Sequence, residues 1–322
     1  MKGLKSEVLR LLEDKNEYIS GKLISNELDI SRNMVWKYIS SLKNEGYDIK
    51  TSRKGYLLVS KNNELSEYEI RKKLKIKDAS FHIYKTIGST NTLARQMAEK
   101  GAKNKTVVIA SEQTQGRGRM GRSFYSPDGS GIYMSVVLRP DIAISDAILV
   151  TTCAAVSVCK AIEDVSLQRA EIKWVNDIYL GGKKACGILT EAAINVESAK
   201  PEYVVLGIGI NLFEGKGGFP DEIKDIATAV FGLQADAEKH KNELVAYILN
   251  YFFDYYDNLT NKAFYGEYKD RMFLIGKDIK VLSNPEYDAK VLDIDEQFCL
   301  KVVTKSGEEK LLNSGEVSTR AY

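Results

Sequence analysis

The segment Gly116-Arg117-Gly118-Arg119-Met120-Gly121-Arg122 puts three arginines and three glycines into seven residues. Glycines let backbone approach a ligand closely and adopt positive φ. Guanidinium forks suit phosphate or carboxylate. The segment follows a strand-like run, Val107 to Ala110, and leads into Ser123-Phe124-Tyr125-Ser126-Pro127, where proline argues against a helix. No Gly-Lys-Ser/Thr closes it, so it is not a Walker A loop, and a Rossmann turn would be uncharged and would open a helix. Taken alone, the segment fits a small anionic ligand and a nucleic acid equally well.

Four other segments break that tie. Thr86-Ile87-Gly88-Ser89-Thr90-Asn91 gathers hydroxyls and an amide at the start of a helix. Lys173-Trp174-Val175-Asn176-Asp177 precedes the turn Gly181-Gly182-Lys183-Lys184. Ala185 to Glu191 reads as a strand with Gly187 where a ligand can lie, and Gly207-Ile208-Gly209-Ile210-Asn211 is a glycine-broken strand ending in an amide. Each has a plainer reading by itself. Ser89-Thr90 would cap a helix, Asn176-Asp177 would form a turn, and Lys173-Trp174 would face solvent. Their joint order outweighs these.

In that order, Ser89-Thr90-Asn91, the Gly-Arg-Gly-Arg-x-Gly loop, Lys-Trp-x-Asn-Asp, Lys-x-x-Gly-Ile-Leu and Gly-x-Gly-x-Asn resemble the biotin–protein ligases. The resemblance covers essentially the whole chain, and its N-terminal part is similar to the bifunctional subgroup that represses biotin synthesis or transport genes. One departure bears on local rigidity: the family usually carries proline between Trp and Asn, and Val175 stands here. The resemblance implies a biotin–[biotin carboxyl carrier protein] ligase. Such an enzyme forms biotinyl-5′-adenylate from biotin and ATP with Mg²⁺, then passes biotin to a lysine of a biotin carboxyl carrier protein.

Carried over residue by residue, the resemblance implies biotin contacts at Ser89, Thr90, Asn91, Gln113, Arg117, Gly118, Arg119, Lys184 and Gly187. It implies nucleotide contacts at Arg119, Arg122, Trp174, Asn176 and Asn211, and catalytic roles for Lys184, Arg119 and Asp177. The chemistry agrees. Joining a carboxylate to an α-phosphate brings two anions together, which Arg117, Arg119 and Lys184 offset, with Mg²⁺ neutralising the departing pyrophosphate. Asp177 is a candidate base or electrostatic partner for the attacking lysine. Lys183 beside Lys184 leaves a one-residue ambiguity, and Lys184 is preferred because it lies three before Gly187.

These residues need a scaffold, and the chain reads as α+β in three domains. Residues 1–62 give helix, helix, turn, helix and a basic hairpin, the order of a winged helix-turn-helix. Residues 63–80 read as a linker carrying a short helix at Leu65, Ile70 and Leu74. Residues 81–271 alternate strand-like and helix-like pieces, and the resemblance implies that they form a mixed α/β ligase domain related to class II synthetase folds. Within them, Leu244, Tyr247, Ile248, Tyr251, Phe252, Tyr255 and Leu259 form one apolar helical stripe that reads as core. Residues 272–322 hold short strands between turns and predict a small β barrel, which the resemblance implies is SH3-like. The strand beginning at Phe298 is one of them.

With a net charge of only +2, nucleic-acid binding has to come from a local patch. Ser31 to Lys54 supplies one, with six basic residues against two acidic. Arg32, Asn33, Trp36 and Lys37 fall off the buried Val35/Ile39/Leu42 stripe of the recognition helix, and Arg53 and Lys54 sit in the wing. These are the expected DNA contacts, with operator DNA as partner. A ligand-ordered glycine–arginine loop that completes a homodimer on a palindromic operator is the expected coupling of the two activities.

Two histidines, His82 and His240, and four scattered cysteines, Cys153, Cys159, Cys186 and Cys299, assemble no metal site by spacing. The cysteines read as reduced residues of a cytoplasmic protein. The apolar run Ile148 to Cys159 is too short to span a bilayer and reads as a buried helix. Two rivals remain at this stage: a regulator that has lost catalysis, and a ligase for lipoate or another acid.

Overall fold

The structure is a computed structural model that describes residues 2–15, 17–44, 46–60, 64–195, 200–215, 217–313 and 317–318. The chain divides into two compact units, Met1–Lys72 and Lys73–Tyr322.

The first unit is built by polar caps and one apolar stripe per helix. Helix α1 spans Lys2–Lys15, α2 spans Gly21–Glu27 and α3 spans Arg32–Asn44. The hydroxyl of Ser20 accepts the Leu23 amide at 3.1 Å and that of Ser31 accepts the Met34 amide at 3.2 Å, so each serine starts its helix. Strands β1 (Asp48–Ser52) and β2 (Gly55–Ser60) form the antiparallel wing. Leu9, Leu12, Ile24, Val35, Ile39 and Leu42 make the core.

Helix α4 (Glu67–Lys73) begins inside this unit. Its Tyr68 hydroxyl donates to Glu13 at 2.8 Å, its Lys72 ammonium pairs with Glu13 at 2.7 Å, and Ile70 is fully buried. The helix read from sequence as part of a 63–80 linker is thus tied to α1 at Glu13 through Tyr68 and Lys72.

The second unit contains β3 (Ser80–Ile87), α5 (Thr90–Glu99), β4 (Thr106–Gln113), β5 (Gly131–Leu138), α6 (Ile148–Ser166), β6 (Glu171–Lys173), β7 (Asp177–Leu180), β8 (Lys183–Asn195) and β9 (Lys200–Asn211). After these come α7 (Gln234–Tyr256), α8 (Tyr265–Arg271), β10 (Asp278–Val281), β11 (Tyr287–Ile294), β12 (Leu300–Thr304), β13 (Glu309–Leu312) and β14 (Val317–Ser318).

Strands β3 to β9 form one seven-stranded sheet in the order β3-β4-β5-β9-β8-β7-β6. Only β3 and β4 run parallel, with α5 as their connection. Because side chains alternate across a sheet, the two faces of β8 differ. Thr190 points to α6, where it accepts from the Thr151 hydroxyl at 2.7 Å. Gly187, Leu189 and Glu191 lie on the opposite face, in register with Gly209, Gly207 and Val205 of β9. Helix α5 covers one end of that face, packing Ala94 and Ala98 on Val108, Val137 and Val205. The other end is left open.

Helix α6 is long and apolar enough to cross a membrane by length and composition. Here it is a core helix, buried from Leu149 to Val150 and from Thr152 to Cys159. Its partner α7 corrects the expected stripe. Leu244, Ile248 and Phe252 are buried as read, whereas Tyr247, Tyr251 and Tyr255 lie on the rim. Their hydroxyls donate to Glu243, Asp164 and Glu267, each at 2.7 Å. A phenol on a helix flank keeps its ring on apolar surface and its oxygen on a carboxylate.

The C-terminal strands form an antiparallel sheet ordered β13-β12-β11-β10-β14. A barrel needs its two outer strands to bond each other. Among the described residues β13 bonds β12 alone and β14 bonds β10 alone. The expected barrel is therefore an open sheet over these residues; 314–316 and 319–322 lie outside them. The strand expected from Phe298 starts at Leu300, since Phe298 takes φ 60°. Its ring packs against Phe264, Tyr265 and Tyr268, with centroids 5.5, 5.6 and 5.2 Å away.

Candidate active site

The open end of the sheet face forms a cavity of about 640 Å³. Gly187, Leu189, Gly207 and Gly209 lie in its floor. Ser89, Thr90, Asn91, Gln113, Arg117, Gly118, Arg119, Arg122, Trp174, Asn176, Asp177 and Lys184 also line it. Of the pocket residues expected from sequence, Asn211 alone is absent from this lining. Its amide donates to the Thr228 carbonyl at 3.1 Å.

One end of the pocket is neutral and rich in hydroxyls and amides. Ser89 precedes α5 in extended conformation, and its hydroxyl makes no capping bond to the helix. Thr90 donates its amide and hydroxyl to Gln113 Oε1 at 2.8 and 3.0 Å. Gln113 in turn donates to Ser126 at 3.1 Å. Behind them the fully buried Ser135 hydroxyl donates to Asn91 Oδ1 at 2.6 Å and lies 2.8 Å from Thr90 Oγ1. Asn91 donates its Nδ2 to Glu191 Oε2 at 2.9 Å and to the Leu189 carbonyl at 3.3 Å. Its carboxamide is thus bonded to protein at both ends.

The other end is charged. Lys184 Nζ stands 2.7 Å from Asp177 Oδ1. Asn176 donates Nδ2 to the same Oδ1 and to the Ile188 carbonyl, both at 2.9 Å, and accepts Arg119 Nη1 at 2.8 Å. Lys184 lines the pocket, while Lys183 donates to the Lys224 carbonyl at 3.2 Å. The Trp174–Val175 peptide is cis. Trp174 is nearly buried and donates its indole N–H to the Phe298 carbonyl at 2.9 Å.

The glycine–arginine loop folds back on itself above the pocket. Gly118 N–H bonds the Arg122 carbonyl at 2.7 Å, Arg122 N–H bonds Arg119 at 3.1 Å, and Phe124 N–H bonds Gly116 at 3.0 Å. Its tip needs positive φ at Met120 and at Gly121 (φ 73°), and Met120 is well exposed. Arg117 reaches Glu191 on the sheet at 3.2 Å.

Sequence reasoning missed several groups in the pocket lining and behind it. Ser135 and Glu191 were hidden because nothing local marks a buried strand serine or a strand carboxylate as a partner of the pocket. Asp225 and Ile226 enter through a bridge in which Lys184 N–H bonds Ile226 and Thr228 N–H bonds Lys184, at 2.8 and 2.9 Å. Leu282 comes from the loop that follows β10. Burial raises the thiol of Cys186, beside Gly187 on β8, well above its ordinary range, so it stays protonated and acts as a small apolar group.

In the first unit, Arg32, Asn33, Trp36 and Lys37 are all exposed on α3, Trp36 at 61%, and Arg53 and Lys54 are exposed in the wing turn. An exposed tryptophan beside two cations matches a groove-reading face better than a solvated one.

Residues 83–211 match the biotin/lipoate A/B protein ligase family, and residues 5–57 match a helix-turn-helix domain. A ligase core joined to a helix-turn-helix is the class that fold and site define. The bifunctional ligase/repressor BirA of Bacillus subtilis is 37% identical, with 97% of each chain covered. That of Escherichia coli is 30% identical over 61% of this chain and 60% of its own length. The biotin protein ligase of Aquifex aeolicus, solved with biotin and ATP, is 27% identical and superposes with a TM-score of 0.60, covering 76% of this chain and 99% of its own. The chain belongs to this family of biotin–protein ligases, in its bifunctional ligase/repressor form.

Proposed function

We propose that the second unit joins biotin and ATP into biotinyl-5′-adenylate and passes biotin to a lysine of a biotin carboxyl carrier protein. The first unit then represses biotin synthesis or transport genes. One observation carries this reading: a single cavity has a neutral amide–hydroxyl end at Ser89, Thr90 and Gln113 and a cationic end at Arg119 and Lys184. The neutral end suits a ureido ring. The cationic end suits a carboxylate meeting an α-phosphate, where fixed positive charge lowers the barrier. The related ligase that binds biotin and ATP supports both ligands.

In this reading Lys184 Nζ holds the biotin carboxylate oxygen and the α-phosphate, and Asp177 orients that ammonium. Arg117, Gly118 and Arg119 close over the adenylate, with Arg122, Trp174 and Asn176 bordering the nucleotide and Gly187 leaving room for the ligand. Asn91 and Asn211 act through protein partners, Asn91 by bracing the floor and Asn211 by holding the segment at Thr228. In the second step Asp177 attracts the incoming lysine ammonium and takes its proton. Mg²⁺ arrives as part of the nucleotide substrate. Among the described residues no three His, Cys, Asp or Glu side chains gather to hold it alone.

On the regulatory side, Arg32, Asn33, Trp36, Lys37, Arg53 and Lys54 contact operator DNA, and the adenylate-bound chain binds as a homodimer in the cytoplasm. Biotin-dependent ATP–pyrophosphate exchange, followed by transfer of labelled biotin to a carrier domain, tests the ligase. No exchange would leave a regulator without catalysis, and preferential exchange with lipoate would redirect the substrate.

A further inference from the structure

The glycine–arginine loop reaches β8 through a side-chain ion pair. Arg117 Nη2 lies 3.2 Å from Glu191 Oε1, and Nη1 donates to Oε2 at 3.5 Å, a two-pronged guanidinium–carboxylate contact. Glu191 is only about a quarter exposed and does not line the cavity. It is itself held, because Asn91 Nδ2 donates to its Oε2 at 2.9 Å. Asn91 is fixed at its other end by the fully buried Ser135, and its carboxamide lies over Gly207, where no Cβ would fit.

These contacts form one chain from the middle of the sheet to the loop: Ser135, Asn91, Glu191, Arg117. A carboxylate placed this way has no ligand to hold, yet its position is fixed by two elements, α5 and β8. We propose that Glu191 is the latch of the glycine–arginine loop. It is a positioning residue that holds Arg117 at the pocket rim before any substrate arrives and sets how often the loop opens. Without it the loop keeps its internal backbone bonds and the Arg119–Asn176 bond but loses its tie to β8.

The inference deepens the ligase reading for the same loop, and its test uses neither biotin nor ATP, so the two fail separately. Hydrogen–deuterium exchange on the full chain reads the amides of residues 113–123 and, as an internal control, those of β9. Glu191→Gln should speed exchange in the loop by about threefold, the size expected when one partly exposed ion pair is lost. Exchange in β9 should stay at the wild-type rate. Arg117→Met should produce the same acceleration, and the double variant should be no faster than either single one. Loop exchange at the wild-type rate in both single variants overturns the latch. So does a double variant whose acceleration equals the product of the two. If Glu191→Gln loosens β9 as well, Arg117→Met alone decides, because its side chain leaves the rim without disturbing Asn91.

Discussion

Lys184 Nζ and Asp177 Oδ1 stand 2.7 Å apart, and the same oxygen accepts Asn176 Nδ2 at 2.9 Å. The ammonium is therefore aimed by a carboxylate that is itself held by an amide. Lys184→Ala should lower biotin-dependent ATP–pyrophosphate exchange by about 10²- to 10³-fold, the usual loss of one group stabilising transition-state charge. Asp177→Asn keeps the shape and should cost less. Wild-type exchange from Lys184→Ala would remove the lysine from the chemistry.

Arg119 is oriented by its 2.8 Å bond to Asn176 and belongs to the loop that covers the pocket. Loss of a charged hydrogen bond to ligand costs about 1.5–3 kcal/mol, roughly ten- to a hundredfold in retention. Arg119→Ala should thus release biotinyl-5′-adenylate faster by that factor. Stopped-flow dissociation measures it, and an unchanged off-rate would contradict a lid role.

A methyl group added at Gly207 would overlap the Asn91 carboxamide, whereas one at Gly232 meets nothing within 4 Å. Gly207→Ala should destabilise the second unit by about 1–3 kcal/mol through overpacking. Gly232→Ala should change its melting temperature little. Equal melting temperatures for the two would show that Asn91 yields without cost.

The hydroxyls of Tyr247 and Tyr251 are pushed up to about 12, first by donating to Glu243 and Asp164 and then by burial. Their raised values mean that the neutral phenols favour the folded chain. That contribution is complete below the ordinary tyrosine value of 10.0 and is lost as pH rises through about 12. The melting temperature of Tyr247→Phe/Tyr251→Phe should fall less steeply between these two pH values than that of the parent. Parallel curves would dismiss the linkage.

Arg32 and Lys37 flank the exposed Trp36 on α3. Replacing either by alanine should weaken operator binding and lower the slope of log affinity against log salt by about 1, as for loss of one phosphate contact. Pyrophosphate exchange should be untouched. A salt slope equal to wild type would take these residues off the DNA backbone.

The charged end of the pocket was legible because its residues come in short runs. Lys173 to Asp177 and Gly116 to Arg122 carry their chemistry within one segment. The brace behind the neutral end was not. Asn91 meets Glu191 across one hundred positions of chain and Ser135 across forty-four. Those meetings depend on which strands lie side by side, and side-chain pattern alone does not fix that order. Asn211 shows the converse, since its motif is intact but its amide is drawn to a loop that no motif marks. On α7 the period located the helix, yet phenol oxygens placed the tyrosines at the rim where an apolar scale put them inside.

The bond from the Trp174 indole to the Phe298 carbonyl ties the pocket wall to the turn ahead of β12. Phe298 is fully buried among aromatic rings of α8 and its approach. Cutting the chain before the C-terminal strands would leave a buried donor with no acceptor and a vacated aromatic socket beside the cleft. Removal of the C-terminal strands should therefore open the cleft at the Trp174 wall as well as delete the small sheet.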